Sequence, residues 1–416
     1  MAASGESYFA AFSSQPKPYI SHGLPFDKAC AHHAENTFHA SHIYVVVSNS
    51  ISKTEAFTAL QKALGDKIVG TRYGIAQHTP LEDVLALADD LNTKNPDLII
   101  TLGASSISDG VKLARLFAAN EVTNTRRAYE IFDKCVLDIA NLVTAAVGVK
   151  SATIPVINVP TSLSAAELTP IAAATNMQTF EKRNLVHESV MADIVVFDPA
   201  LTVSTPARFW LSTGVRAVDH CTEGLYANLP HASPELVAEL STALRNLLVG
   251  LLKTKQKWND LDARLQTQLA LKSSVKAIFC GMGASHGIGH QLGPMGIGHG
   301  ETSCIILPSV MKYNWSYGDE KTRDALRTVA SAFWDEPAVV DALGLKEADR
   351  DSTNPGDLMA AFVSALGMPR SLSQVGIGSD KFDLLAVNSL TDDPCIPVNP
   401  VKLDKEKIIE ILKMAA

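Results

Sequence analysis

The sequence predicts an α/β domain followed by an all-α domain, divided as residues 1–199 and 200–416. Short apolar, β-branched runs alternate with helical patterns through the first half. Beyond Asp198-Pro199 strand-like runs nearly vanish, and amphipathic helical spacing continues to Leu412. A chain of 416 residues is also long enough for two domains.

The elements follow in order. Ile43–Val47 is a continuous apolar run, the pattern of a strand buried on both faces. Thr54–Leu64 has helical apolar spacing and ends near Gly65. Ile68-Val69 opens the next strand. Thr79-Pro80, with Glu82 and Asp83 after it, reads as a helix start with Thr79 at the cap and Pro80 in the first turn; that helix runs to about Lys94. Asp97–Leu102 is a further buried strand that opens into Gly103-Ala104-Ser105-Ser106, with a helix from near Ile107. Ile154–Val159 and Ile194–Phe197 are strands of the same kind. Strands alternating with helices imply parallel pairing, with helices on both sheet faces. In the second half Thr205-Pro206 starts a helix, while Asn354-Pro355-Gly356 and Asp393-Pro394 mark loops.

Composition excludes several classes. Hydrophobic residues are 46% and charged residues 19%, enough for a large core. A net charge of -8 with no basic run argues against nucleic acid or anionic membrane as partner. No apolar stretch reaches the roughly 18 residues of a membrane span, and the N-terminus lacks the order of a signal peptide. The six cysteines are scattered without CxxC spacing, which reads as free thiols in a reducing, cytoplasmic compartment.

Chemistry concentrates in two short segments that hold four of the 12 histidines. His286-Gly-Ile-Gly-His290 places two imidazoles at i, i+4 on one helix face, and the glycines between them are expected to leave that face open to a ligand. His299 follows a Gly-rich break, where the chain can turn back to the same pocket. His220 lies in Gly214–Glu223. An isolated HxxxH pair is weak evidence, and this one lacks the Glu of the zinc-protease helix. The convergence of several histidines is what points to a catalytic centre.

A second candidate lies at strand ends. Gly103, Ala104, Ser105, Ser106 and Asp109 form a strand–turn–helix whose backbone N–H groups and helix N-terminus suit a diphosphate, although it is not GxGxxG. The loop with Thr161, Ser162 and Glu167 follows another strand. In open α/β sheets ligands bind at such carboxyl ends. Two ordinary strand–helix connections are the plain alternative. Glu167 either orients a cofactor ribose or its loop, or faces solvent.

Taken together, GASSISD, Pro160-Thr161, GVRAVDHCTEGLYA, HGIGHQLG and GHGETSCIILPSVMKYN resemble, in order, the iron-containing alcohol dehydrogenase family. TSLSAAELTPI from Thr161 and Glu301-Thr302-Ser303 resemble its maleylacetate reductase branch most. The resemblance runs from about residue 20 to the C-terminus. It implies the dehydroquinate synthase-like fold, a homodimer, and a nicotinamide cofactor meeting substrate in the cleft between an N-terminal nucleotide domain and a C-terminal catalytic one. Metal-dependent members hold iron or zinc through one Asp and three His. Here the His positions match His220, His286 and His299, and His290 matches a further histidine near the nicotinamide. The Asp position falls on Arg216. Asp219, about 100° away from His220 on a helix, is expected to be a poor substitute.

A guanidinium only donates and is always charged, so Arg216 weakens any metal site; if an ion binds, His220, His286 and His299 hold it. The expectation is a metal-independent, NADH- or NADPH-dependent reduction of an enone or carbonyl on a small acidic substrate. Arg216 replaces the metal's charge, His290 or His286 supplies the proton, and His220 and His299 bind substrate oxygens. The plain alternative for Arg216 is an ion pair with Glu223 or Asp219. Ser48 and Asn49, at the end of the first strand, put no carboxylate where NAD-preferring members carry one, which permits NADPH. Two other readings stand beside this one: a metal-using alcohol or aldehyde reductase of a biosynthetic pathway, and a non-redox lyase or cyclase on the same scaffold.

Overall fold

The computed structural model describes residues 2–136, 146–179, 181–227, 233–392 and 395–416. The chain forms two compact units, Met1–Ser204 and Thr205–Ala416. Asp393-Pro394, read above as a loop, lies outside the described residues.

The first unit is built on seven strands: β1 (Ser7–Ala10), β2 (Tyr19–His22), β3 (Ile43–Val47), β4 (Ile68–Tyr73), β5 (Leu98–Gly103), β6 (Val156–Pro160) and, after a separate hairpin of β7 (Ile171–Thr175) and β8 (Lys182–Val186), β9 (Ile194–Phe197). The sheet order is β1-β2-β9-β6-β5-β3-β4, parallel throughout except for β1. Helices α1 (Phe26–Asn36), α2 (Glu55–Leu64), α3 (Leu81–Lys94), α4 (Ser105–Ala119), α5 (Thr125–Lys134) and the short α6 (Pro199–Thr202) complete it.

Period-2 alternation explains the layering. Ile43, Val45 and Val47 of β3 pack with Phe26, Phe57 and Leu60, whereas Tyr44 and Val46 pack with Leu87, Leu91 and Val111. All five β3 residues are therefore buried, and the run has no polar face to show. From β3 the chain moves to one side for β4 and to the other for β5, so the β3/β5 boundary is the sheet's topological switch point.

Several local expectations are corrected. Thr79 is not the cap of α3: its φ is +49°, its carbonyl accepts from Thr175 N at 3.0 Å, and Pro80 holds the cap position instead. Thr79 is thus engaged by the β7 hairpin rather than by the helix. Helix α4 begins at Ser105, two residues before the expected start, because Ala104 is extended and Ile107 N already closes the first turn on Ala104 O. The β1–β2 and β7–β8 hairpins are additions. β7 is Ile-Ala-Ala-Ala-Thr, whose alanines carry no strand signal.

Among the described residues the second unit has no strands. Its helices are α7 (Ala207–Tyr226), α8 (Pro234–Gln256), α9 (Leu261–Ser274), α10 (Ala284–Leu292), α11 (His299–Tyr317), α12 (Glu320–Trp334), α13 (Pro337–Leu343), α14 (Pro355–Leu366), α15 (Phe382–Ser389) and α16 (Lys405–Met414). Asn354-Pro355 is a helix start rather than a loop: Asn354 caps α14 through Gly356 N at 2.8 Å, and Pro355 takes the first helical position, where its missing N–H costs nothing. Ile288, Leu292, Ile306, Val310, Leu385 and Ile411 form one core that fixes α10 and α11 against α15 and α16. No described helix is long and apolar enough to cross a membrane. All six cysteines are unpaired and buried.

Candidate active site

In the first unit the predicted nucleotide residues gather at the carboxyl ends of adjacent parallel strands. Val47 pairs with Leu102, and Gly103 with Pro160, so Ser48, Gly103 and Thr161 sit side by side at one sheet edge. Ser48 N donates to Leu102 O and Thr161 N to Gly103 O, both at 3.0 Å. A Cβ on Gly103 would lie 2.9 Å from Ile107 and 3.2 Å from Ser48, so glycine here lets the turn close. Helix α4 starts after Ala104 with no side-chain cap, which leaves its first-turn amides for an anion; Ser105 and Ser106 occupy that turn. Those features fit a diphosphate group. Asn49 is turned toward β4, its amide lying where a Cβ of Gly74 would be, 2.4 Å away.

The Glu167 loop is held from below. Lys112 Nζ, buried, donates to Ala166 O at 2.5 Å and Ile171 O at 2.7 Å, and it lies 3.5 Å from Asp109. Burial pushes the lysine's pKa down and that of Asp109 up. Glu167 does not face solvent. It is buried, Oε1 has no hydrogen-bond partner, and burial raises its pKa from 4.5 to about 7. Ser162 Oγ meets Ser164 Oγ at 3.1 Å.

The second unit brings the four histidines together. Ring centroids are 5.1 Å apart for His220 and His286, 6.3 Å for His286 and His290, and 5.9 Å for His290 and His299, whose planes differ by 5°. The row runs from the buried His220 and His286, through the half-buried His290, to the exposed His299 at the start of α11. The glycines of α10 do not open its face to a ligand. A Cβ on Gly287 would meet Ile396 at 2.8 Å, and one on Gly289 would meet Thr302 at 2.8 Å; both serve close packing.

Arg216, Asp219, His220 and Glu223 occupy one face of α7, at spacings of three and four. The expectation that Asp219 points away is corrected. Its Oδ2 accepts from Ser285 Oγ at 2.9 Å and Ser303 Oγ at 2.6 Å, and lies 3.4 Å from His286 Nδ1. A helix buried all round has room for an inward arc wide enough to take both Asp219 and its neighbour. Arg216 donates to Ser303 Oγ at 3.1 Å, lies 3.5 Å from His290 Nε2, and is 4.0 Å from Asp219. The plain ion-pair alternative therefore holds for Asp219, and Arg216 touches His290 as well. Glu223 accepts from Gly283 N at 2.7 Å, Ser285 N at 2.8 Å and Tyr226 at 3.2 Å, and pairs with His286 Nδ1 at 2.7 Å. Glu301 is held by Arg208 through both carboxylate oxygens.

Burial dominates the electrostatics. It lowers His220 from 6.5 to about 3, helped by the Arg216 charge, and drives His286 well below its usual range for the same two reasons. It raises both Asp219 and Glu223, with Arg216 and the hydrogen bonds working against the rise. Two imidazoles are thus held neutral beside a fixed cation.

The donor set does not suit a divalent ion in the family's manner. Among the described residues, the groups with ligand atoms within 4.8 Å of one another are Asp219–Glu223–His286 and His290–Asp392–Cys395; His220, His286 and His299 are not such a group. In the first, Arg216 stands beside Asp219, and every member already has hydrogen bonds. The sequence named Asp219 and Glu223 only as alternative ion-pair partners of Arg216, not as partners of His286, and it did not single out Ser303. It also missed Asp392, for which no local signal exists.

Comparison with known proteins identifies the family. The iron-containing alcohol dehydrogenase family matches residues 24–199, and the C-terminal part of the Fe-containing alcohol dehydrogenase family matches residues 210–416. The chain belongs to the iron-containing alcohol dehydrogenase family. It is an oxidoreductase of that family, 50% identical to Dehydrogenase FUM7 of Gibberella moniliformis over 98% of each chain. Dehydrogenase ALT3 of Alternaria alternata is 47% identical over 89% of this chain and 98% of its own. Likeness to a maleylacetate reductase of Pseudomonas sp. is narrower: 29% identity over 48% of this chain and 59% of that one. The fold matches that of 1,3-propanediol oxidoreductase with a TM-score of 0.79, at 20% identity and 99% coverage of both chains.

Proposed function

We propose that this member of the iron-containing alcohol dehydrogenase family reduces an enone or carbonyl on a small acidic substrate with NADH or NADPH, without a metal. The observation that carries the reading is Arg216, a buried guanidinium 3.5 Å from His290 Nε2 and held by Ser303. The turn at Gly103–Ser106 holds the cofactor diphosphate, with Ser48 beside it. The nicotinamide, when bound, supplies a hydride to the electrophilic carbon of the substrate. As that bond forms, an electron pair moves onto the substrate's oxygen, and Arg216 neutralises the charge there through its N–H groups. Asp219 and Ser303 keep the guanidinium in place. His290, protonated from solvent at Nε2, gives the proton that completes the reduction. His286 and His220, held neutral, act as hydrogen-bond partners; His286 Nε2 and His220 Nδ1 are buried without partners within the protein and are available to substrate oxygens.

The test follows NADH and NADPH oxidation with maleylacetate and related unsaturated or keto acids, using chelator-treated protein in excess chelator. Turnover under those conditions supports the reading. Activity that appears only after iron or zinc is added back overturns the metal-free part, and restores the family's usual alcohol dehydrogenase chemistry.

A further inference from the structure

His286 and His290 each meet a carboxylate at 2.7 Å, and the two pairings differ in kind. Glu223 and His286 are both buried, and the carboxylate is saturated by backbone donors of the 283–285 turn. That pair holds α10 to α7. The other pair is His290 Nδ1 and Asp392 Oδ2, 2.7 Å apart and 102 positions apart in the chain. His290 is 34% exposed, and Asp392 11%. Asp392 closes the turn after α15, where its carbonyl accepts from Cys395 N and Ile396 N, both at 3.1 Å, and its own N–H donates to Ser389 O at 3.0 Å. The backbone that carries the carboxylate is therefore anchored on both sides.

An ionised carboxylate only accepts, so the Nδ1 facing it carries the ring proton. In the neutral ring this leaves the lone pair on Nε2. Nε2 in turn faces Arg216 Nη2, a group that only donates. The imidazole is gripped at both nitrogens by partners of opposite character, and only one tautomer satisfies both.

We propose that Asp392 is a positioning residue: it sets the tautomer and ring plane of His290, so that Nε2 beside Arg216 is the atom that takes up a proton from solvent and hands it to the substrate. This rests on the reduction proposed above for the role of His290. The geometry also explains why the half-buried histidine, rather than the buried His286, is the one free to exchange its proton with solvent between turnovers.

The experiment compares wild type, Asp392→Asn and Asp392→Glu in two ways. In the first, kcat and KM are measured at saturating cofactor on the acid substrate. Asp392→Asn lowers kcat about 100-fold, within the range expected of a general acid, while KM and cofactor Kd move less than about threefold; Asp392→Glu recovers most of kcat. In the second, 15N NMR of histidine-labelled protein reads the His290 tautomer without substrate, with His290→Gln assigning the signal. Wild type and Asp392→Glu show the Nδ1–H form, and Asp392→Asn shows the other form or a mixture. An unchanged tautomer in Asp392→Asn overturns the proposal, as does kcat within twofold of wild type. A wild type inactive on every acid tried, with a tautomer that still depends on Asp392, overturns the functional reading and leaves the positioning role standing.

Discussion

The strand-end turn of the first unit and the histidine row of the second are built from opposite materials. The turn uses backbone: the N–H groups of an uncapped helix, small residues and one glycine that permits a tight closure. The row uses side chains, with Arg216, Asp219, Glu223 and His286 all buried and each defined by the others. A backbone site tolerates changes of side chain but not loss of an N–H. A side-chain site should fail when a single charged group is removed.

The largest test of that contrast is Arg216→Ala. Two unit charges about 4 Å apart interact by about 4 kcal/mol at an effective dielectric of 20, which is about a 10³-fold fall in kcat/KM. Cofactor binding, followed by nicotinamide fluorescence, should stay near wild type. Activity on the acid substrate that survives this change would end the proposed role of Arg216.

Glu167→Gln asks whether a buried side chain also sets the energetics of the first unit. Burial raises Glu167 from 4.5 to about 7 in the folded state, so the native protein binds this proton more tightly than the unfolded chain does. The associated stability is complete below about pH 4.5 and is lost as pH rises through 7. At about 1.4 kcal/mol per pH unit of pKa difference the loss reaches about 3 kcal/mol by pH 8. In urea unfolding the Gln variant should match wild type near pH 4.5 and exceed it by about that amount at pH 8. An equal gain at both pH values would assign the effect to packing instead.

Ser105→Pro removes one first-turn N–H with little backbone cost, because proline suits the first helical position and Ala104 is already extended. Nucleotide Kd, measured by calorimetry, should rise about tenfold, the scale of one charge-assisted hydrogen bond. The smallest effect belongs to the paired change of Ser105 and Ser106 to alanine, for which Kd should rise less than about threefold. A larger loss there than in Ser105→Pro would mean that the hydroxyls, and not the amides, hold the phosphate.

The same contrast decides what was legible in the sequence. Strands β3 and β5 announce themselves as apolar runs, because a sheet covered on both faces leaves no polar positions to interrupt them. The turn at Gly103 could be read because it is local. Arg216 could be placed because the family order of motifs survives around it. Asp219 was read from a single helical offset, which is too narrow a criterion for a helix buried on every side. Local sequence makes Gly287 and Gly289 look like openings, yet what fills the space above them, Ile396 and Thr302, lies outside their helix. Asp392 shows the limit most clearly: its partner is 102 positions away, and neither residue's neighbours hint at the other. The β7–β8 hairpin escaped for a different reason, since its alanines are equally at home in a helix.

Arg216 also has a consequence for supply. A cation carried on a side chain is installed at translation, in every copy, and in fixed proportion to the fold around it. It cannot be stripped by a chelator, exchanged for a wrong ion, or lost when iron is scarce or oxidised. If the proposed metal-free reduction holds, the cell that makes this chain needs no metal-loading step to set the charge at its centre, and the charge endures for as long as the helix that bears it.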